Sequence, residues 1–199
     1  MMSITSFDYS LFQSVNDLAG RFPVLDAVMR FLAQDAEYFF YLGVVLYWFT
    51  RSETNRKMVV QAGMSACSAF GIGMLLSHLF YRDRPFVAHH VQQLIDHAAN
   101  ASLPSDHAIG SFVIAASIWL YRKRDGSVWL LLAACIAFSR IWTGVHYPLD
   151  VAAGAGIGVL AAVGAHGLFV KSGLLRKWMT AGIAFYERAE RRVWPSRTS

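Results

Sequence analysis

The stretch Val128–Val170 reads VWLLLAACIAFSRIWTGVHYPLDVAAGAGIGVLAAVGAHGLFV. Two apolar runs are joined by a short polar turn, and neither alternates with the period of two that a half-buried strand would show. Each approaches the ~20 apolar residues needed to cross a bilayer. The reading is two membrane helices, near residues 128–141 and 148–170, with the turn at one membrane face. Continuous runs argue against a closed β-barrel, whose strands alternate. Gly154 and Gly158 form a small-xxx-small pair suited to close helix approach.

The turn itself, Ser139–Asp150, carries Arg140, His146 and Asp150 at the edge of this apolar region. On a helix, or entering one, the spacing of His146 and Asp150 puts both side chains on one face. A carboxylate bonded to one ring nitrogen leaves the other free and more nucleophilic. Arg140 supplies a planar donor fork suited to phosphate or carboxylate. Two readings stand side by side here: an anion site with an activated histidine, or an interfacial turn whose His and Asp cap a helix start.

The rest of the chain extends the same pattern. Of 199 residues, 55% are hydrophobic and only 16% charged, too apolar for an ordinary soluble domain. The reading is all-α: an integral membrane helix bundle with about five to six transmembrane helices, and amphipathic interfacial helices at both ends. The net charge of +5 does not imply nucleic acid, because the basic residues cluster at the ends of apolar runs. Cys67 and Cys135 fall inside expected spans and read as small packing residues. No cleaved signal peptide is recognisable at the N-terminus.

A single membrane domain, 1–199, divides into three parts. Residues 1–34 are amphipathic, with Leu11, Phe12, Val15, Leu18, Ala19 and Phe22 at helical spacing. The core, 35–170, holds spans near 38–50, 58–81, 104–121, 128–141 and 148–170. The basic tail, 171–199, reads as an interfacial helix on the cytoplasmic leaflet. Basic clusters at 51–57, 122–124 and 171–177 share one side, cytoplasmic by the positive-inside rule. The turns at 81–90, 104–107 and 140–150 then share the outer side.

Those outer turns carry the candidate chemistry. Arg84 precedes Pro85, which disfavours helix at the arginine. Arg82 lies beside it; interfacial snorkelling explains one arginine better than two. PSDH, Pro104–His107, reads as a helix start with Ser105 as N-cap and free amides that suit an anion. His107 could donate a proton to a leaving oxygen. Arginines, a helix N-terminus, two histidines and a carboxylate suit metal-independent phosphoryl transfer, and no acidic cluster of the magnesium-binding sort is seen.

RP at 84–85, PSDH at 104–107 and SR-x5-H-x3-D at 139–150 resemble the three signatures of the type 2 phosphatidic acid phosphatase superfamily. The short length, the FVAHH run and PSDH in place of PSGH resemble its bacitracin-resistance type of undecaprenyl-diphosphate phosphatase. The resemblance implies that His146 is a nucleophile forming a phosphohistidine, that Asp150 orients it, and that His107 is the general acid. It implies that Arg84, Arg140, Ser105 and the backbone around Asp106 bind the transferred phosphate. The lysine that opens the first signature is Ser77 here, and Arg82 is a candidate replacement. Asp106 stands where a glycine is usual.

The implied function is hydrolysis of undecaprenyl diphosphate at the outer face of the bacterial cell membrane. That reaction recycles the cell-wall lipid carrier and gives bacitracin resistance. Alternatives are a broader phosphatase for phosphatidic acid or phosphatidylglycerol phosphate, and a transporter. Against the transporter, no inverted repeat or mid-membrane charge is visible. The expected partners are a polyprenyl diphosphate and membrane lipids, with no nucleic acid, no cofactor and no metal. His89, His90 and His97 with Asp96 are a conceivable metal set, although a polar lid over the headgroup is the reading adopted. Oligomeric state is left open.

Overall fold

A computed structural model describes residues 4–194; the outermost residues of the 1–34 and 171–199 segments lie outside that range. Nine helices are found among the described residues: α1 (Ile4–Asn16), α2 (Pro23–Gln34), α3 (Glu37–Phe49), α4 (Glu53–Leu79), α5 (Pro85–Ala88), α6 (Asp106–Tyr121), α7 (Lys123–Trp142), α8 (Pro148–Lys171) and α9 (Gly173–Val193). Helices α4, α7 and α8 are long and apolar enough to cross a membrane; α3 is a shorter apolar helix. With α6 they make the five-helix bundle.

Helix α6 is the centre. It packs on α8, α7 and α4, and Ala108, Ile109, Val113, Ile114 and Ala115 along it are buried. Apolar side chains gain little by leaving lipid for one another, so close backbone approach matters more. Gly154 and Gly158 provide that approach. A Cβ on Gly154 would lie 2.5 Å from the Ser105 carbonyl oxygen, and one on Gly158 would lie 2.8 Å from that of Ile109. Outward-facing Leu42, Leu46, Met74, Leu75, Leu160 and Leu168 form the surface that meets lipid.

The expected α7 start at 128 is too late. Only Arg122 separates α6 from α7, so the RKRD cluster sits in the turn and the first helical turn. Asp125 there accepts from Tyr47 Oη at 3.1 Å and pairs with Arg122, tying α3 to this end. On the same side, fully buried Arg56 of α4 pairs with Glu187 at 2.9 Å and Glu190 at 2.6 Å of α9. Those pairs dock the basic tail helix to the bundle.

At the opposite end, α1 and α2 turn polar side chains inward alongside buried Phe12 and Ala33. Asp8, Asn16 and Asp26 face inward, whereas Ile4, Phe7, Leu11, Val24 and Val28 are exposed. Asn16 Nδ2 donates to the carbonyls of Gln92 and Trp142, both at 2.9 Å, and Trp142 Nε1 donates to Asp26 at 2.8 Å. The N-terminal segment thus braces the polar turns and offers its apolar face outward, an arrangement suited to the membrane interface.

Candidate active site

The turn after α7 is set by its glycine. Gly144 has φ +81°, and its N–H bonds to the Ile141 carbonyl at 3.1 Å. The Val145 N–H returns to the Arg140 carbonyl at 3.2 Å. These two bonds are the Schellman pattern that ends a helix with a left-handed residue. The next residue is His146, 2% exposed. Pro148 then opens α8, and Asp150 Oδ2 accepts from the Tyr147 N–H at 2.9 Å. The two readings of this turn are therefore compatible. Asp150 caps a helix start and also stands beside the histidine.

The His146–Asp150 pair is held from several sides. Nδ1 of His146 is 3.7 Å from Asp150 Oδ2. Ser102 Oγ lies between them, 2.5 Å from that carboxylate oxygen and 3.4 Å from Nδ1. The other carboxylate oxygen, Oδ1, is 3.2 Å from Arg82 Nη1, which also pairs with buried Asp8 at 2.7 Å. The Arg82 guanidinium stacks 3.6 Å above the Tyr147 ring. Arg82 thus stands behind the pair, engaged by two carboxylates. Ser77 donates to the Leu103 carbonyl at 3.1 Å, against the loop that enters PSDH.

The far side of the ring faces Arg84. Its Nη1 is 3.0 Å from His146 Nε2 and donates to the Val145 carbonyl at 3.0 Å. Nε donates to Asn100 Oδ1 at 2.9 Å and Nη2 to the Ala101 carbonyl at 3.2 Å. Arg84 therefore addresses the ring lone pair that an attack on phosphorus would use. Burial pushes the His146 imidazole down to about 4; Asp150 opposes this, and the nearby Arg84 and Arg140 reinforce it. A ring that is neutral at neutral pH is the result. Burial also lowers Arg84 from its ordinary value, offset by Asp150 and Asp106, yet it stays charged.

Arg140 is 1% exposed, and Nη1 donates to the Ala33 carbonyl at 2.7 Å. Its Nε and Nη2 are buried with no protein partner. Ser105 occupies the N-cap of α6 as expected, but its hydroxyl does not cap; it too is buried and unpartnered. The Ser105 N–H instead donates to the Asp150 carbonyl at 3.0 Å, joining PSDH to the His146 turn. Buried donors without acceptors are rare. Among the described residues, besides Gln61 Nε2 and Ser117 Oγ, they belong to Arg140 and Ser105, two of the residues expected to bind phosphate.

His107 and Asp106 line a cleft of about 150 Å³ with Glu37, Phe40, Tyr41, Phe70 and Gly110. His107 lies close enough to Arg140, His146, His97 and Arg84 for electrostatic interaction. The PSDH and SR-x5-H-x3-D residues are thus brought together with Arg84. Sequence reasoning did not single out Ser102, Asn100, Asp8 or Glu37 as site residues. A polar run before PSDH and an acid in the first turn of α3 were the only signals. His89 stacks on Tyr9 with centroids 3.9 Å apart, and His97 lies 6.1 Å from the His146 ring. Among the described residues no three His, Cys, Asp or Glu side chains group to hold a metal ion.

The sequence profile of the PAP2 superfamily matches residues 58–173, which contain all three signatures. The chain belongs to the PAP2 superfamily. Among relatives, it is 39% identical to the bacitracin transport permease protein BcrC of Bacillus licheniformis, over 98% of this chain and 95% of that one. It is 33% identical to the undecaprenyl-diphosphatase BcrC of Bacillus subtilis, over 90% and 92%. Among solved structures, LpxE of Aquifex aeolicus superposes with a TM-score of 0.71 at 24% identity, over 83% of this chain and 99% of that one. A PAP2-type phosphatidylglycerolphosphate phosphatase of Bacillus subtilis gives 0.63 at 21%, over 86% and 88%. Those two likenesses establish the fold: this is a multi-pass membrane protein built on the PAP2 helix bundle.

Proposed function

We propose that the chain hydrolyses undecaprenyl diphosphate to undecaprenyl phosphate and inorganic phosphate through a phosphohistidine on His146. One observation carries this reading: unpartnered buried donors on Arg140 and Ser105, beside a neutral histidine whose Nε2 meets Arg84. Such donors stabilise the spread negative charge of a transferring phosphoryl group. His146 Nε2 attacks the terminal phosphorus. The P–O bond breaks with its electron pair going to the leaving lipid phosphate, and His107 supplies the proton. Asp150 and Ser102 steady the imidazole as it gains positive charge. Water then attacks phosphorus, His107 takes its proton, and the N–P electrons return to His146.

The diphosphate substrate and the link to bacitracin rest on similarity to the two BcrC proteins. The outward orientation rests on Arg56, Lys57, Arg122 and Lys123 at the end away from the site. One relative is named a permease, so transport is the second reading, but it leaves a sealed His–Asp–Arg cluster at one end of the bundle unexplained. Purified protein with excess chelator, offered undecaprenyl diphosphate and phosphatidic acid in parallel, tests the proposal. Preferential release from the diphosphate, abolished by His146→Ala, supports it. Better release from phosphatidic acid moves the substrate to general phospholipids, and no release from either overturns it. Reporter fusions at residues 54, 93 and 124 test orientation; an outer-side signal at 54 reverses it.

A further inference from the structure

The second histidine of the site has a carboxylate partner from a different part of the chain. His107 Nε2 is 3.4 Å from Glu37 Oε2, and both side chains are partly buried, 24% and 29% exposed. Glu37 sits in the first turn of α3, and His107 in the first turn of α6. Both line the cleft, with Tyr41 one turn further along α3. We infer that Glu37 is a positioning residue for His107, holding the ring in the orientation and charge state needed for proton donation to the leaving group. This rests on the reading of His107 as the general acid.

A general acid must carry its proton when the substrate is bound, and the surroundings of His107 work against that. Arg140 from α7, Arg84 and His97 from the connecting loop, and His146 from the turn before α8 are all positive or able to become so. On α4 the cleft contributes only Phe70, and on α3 Tyr41 remains neutral at ordinary pH. Asp106, adjacent on α6, interacts with Arg84 and Arg140. Glu37 is the carboxylate within ion-pair distance of the ring, and Arg140 faces that carboxylate as well. Committing Nε2 to Glu37 leaves Nδ1 for the leaving oxygen, so the pair fixes which nitrogen donates. Catalytic contacts that are loose without substrate commonly tighten in the reacting complex. A helix-dipole role alone, with an acid in the first turn of α3, explains the charge of Glu37 but not its contact with a histidine on another helix.

The test is the kcat–pH profile of the intact protein in detergent with undecaprenyl diphosphate, for the native chain, Glu37→Gln, Glu37→Asp and His107→Ala. A carboxylate this close favours the imidazolium by about one pH unit or more. Glu37→Gln is therefore expected to move the basic limb of kcat to lower pH by about one unit. It should also lower kcat about tenfold to a hundredfold, part of the ~10²–10⁴ that a general acid contributes, while KM stays within about threefold. Glu37→Asp should recover part of both effects, and His107→Ala should abolish that limb. An unmoved limb in Glu37→Gln, whether kcat falls or not, overturns the proposal and leaves Glu37 a structural residue. If His107→Ala keeps the limb, the general-acid reading fails first and the role of Glu37 with it.

Discussion

Replacing Arg140 with methionine should make the protein inactive without making it less stable. The side chain is 1% exposed and makes one charge-assisted bond, to the Ala33 carbonyl at 2.7 Å. Losing that bond costs about 1.5–3 kcal/mol. Against this, Nε and Nη2 are buried without partners, and each such donor costs about 1–3 kcal/mol, more when charged. Arg84 also repels the guanidinium, while Glu37 and Asp106 attract it. Methionine nearly matches its length, so the cavity term is small. The balance is a change of roughly 0–3 kcal/mol toward greater stability in the absence of phosphate, since a buried charge swapped for an apolar side chain is often neutral or stabilising. Activity should move the other way. Losing donors aimed at a developing oxyanion costs about 2.7–4 kcal/mol, or 10²–10³ in kcat. Thermal unfolding in detergent with and without orthovanadate, beside phosphate release, reads both. The native chain should gain about 2.7 kcal/mol at a vanadate concentration a hundred times its Kd, and Arg140→Met should gain almost nothing. A variant that keeps activity within tenfold, or that still gains from vanadate, would refute the reasoning.

Other perturbations separate packing from chemistry. Gly154→Ala pushes a Cβ to 2.5 Å from the Ser105 carbonyl oxygen, whereas Gly156→Ala meets nothing within 4 Å. The first should cost about 1–3 kcal/mol of stability and more than tenfold in kcat, because α8 carries Asp150; the second should be near neutral in both assays. Arg82→Ala removes the cation shared by Asp8 and Asp150, 1% and 0% exposed; breaking such a buried pair costs about 3–5 kcal/mol, so kcat and thermal stability should fall while KM changes little. A rise in KM alone would instead make Arg82 a direct phosphate ligand. Because His146 is held below its ordinary value, to about 4, single-turnover phosphoryl transfer should stay active below pH 6.5 and fail only as pH approaches about 4. Its folded form binds fewer protons than the unfolded chain between those values. Its stabilising contribution is therefore complete above about 6.5 and declines as pH falls toward about 4. An acid limb centred near 6.5 would contradict a dehydrated ring.

The bundle was legible because membrane spans announce themselves by length and composition. The ends of α3, α6 and α8 match the apolar runs to within a residue or two. The early start of α7 was hidden because a charged turn reads as a loop, although Gly126 can pack directly against Trp119. Arg84, Ser105, His107, Arg140, His146 and Asp150 were visible as types at particular spacings. Ser102 and Glu37 were not, because a serine in a polar loop and an acid beside an apolar run carry no spacing signal. Their importance comes from the third dimension. The inward face of α1 was equally hidden: Asp8, Phe12 and Asn16 share one face at four-residue spacing and are all buried, and periodicity does not tell whether that face or the one bearing Leu11 meets lipid.

The most direct test of the account is a rapid-quench experiment with undecaprenyl diphosphate carrying radiolabel on its terminal phosphate. The account predicts a transient label on the protein, stable to base and labile to acid, on the peptide containing His146 and absent from His146→Ala. Product formation by the native chain with no covalent label, or label that persists in His146→Ala, would contradict it.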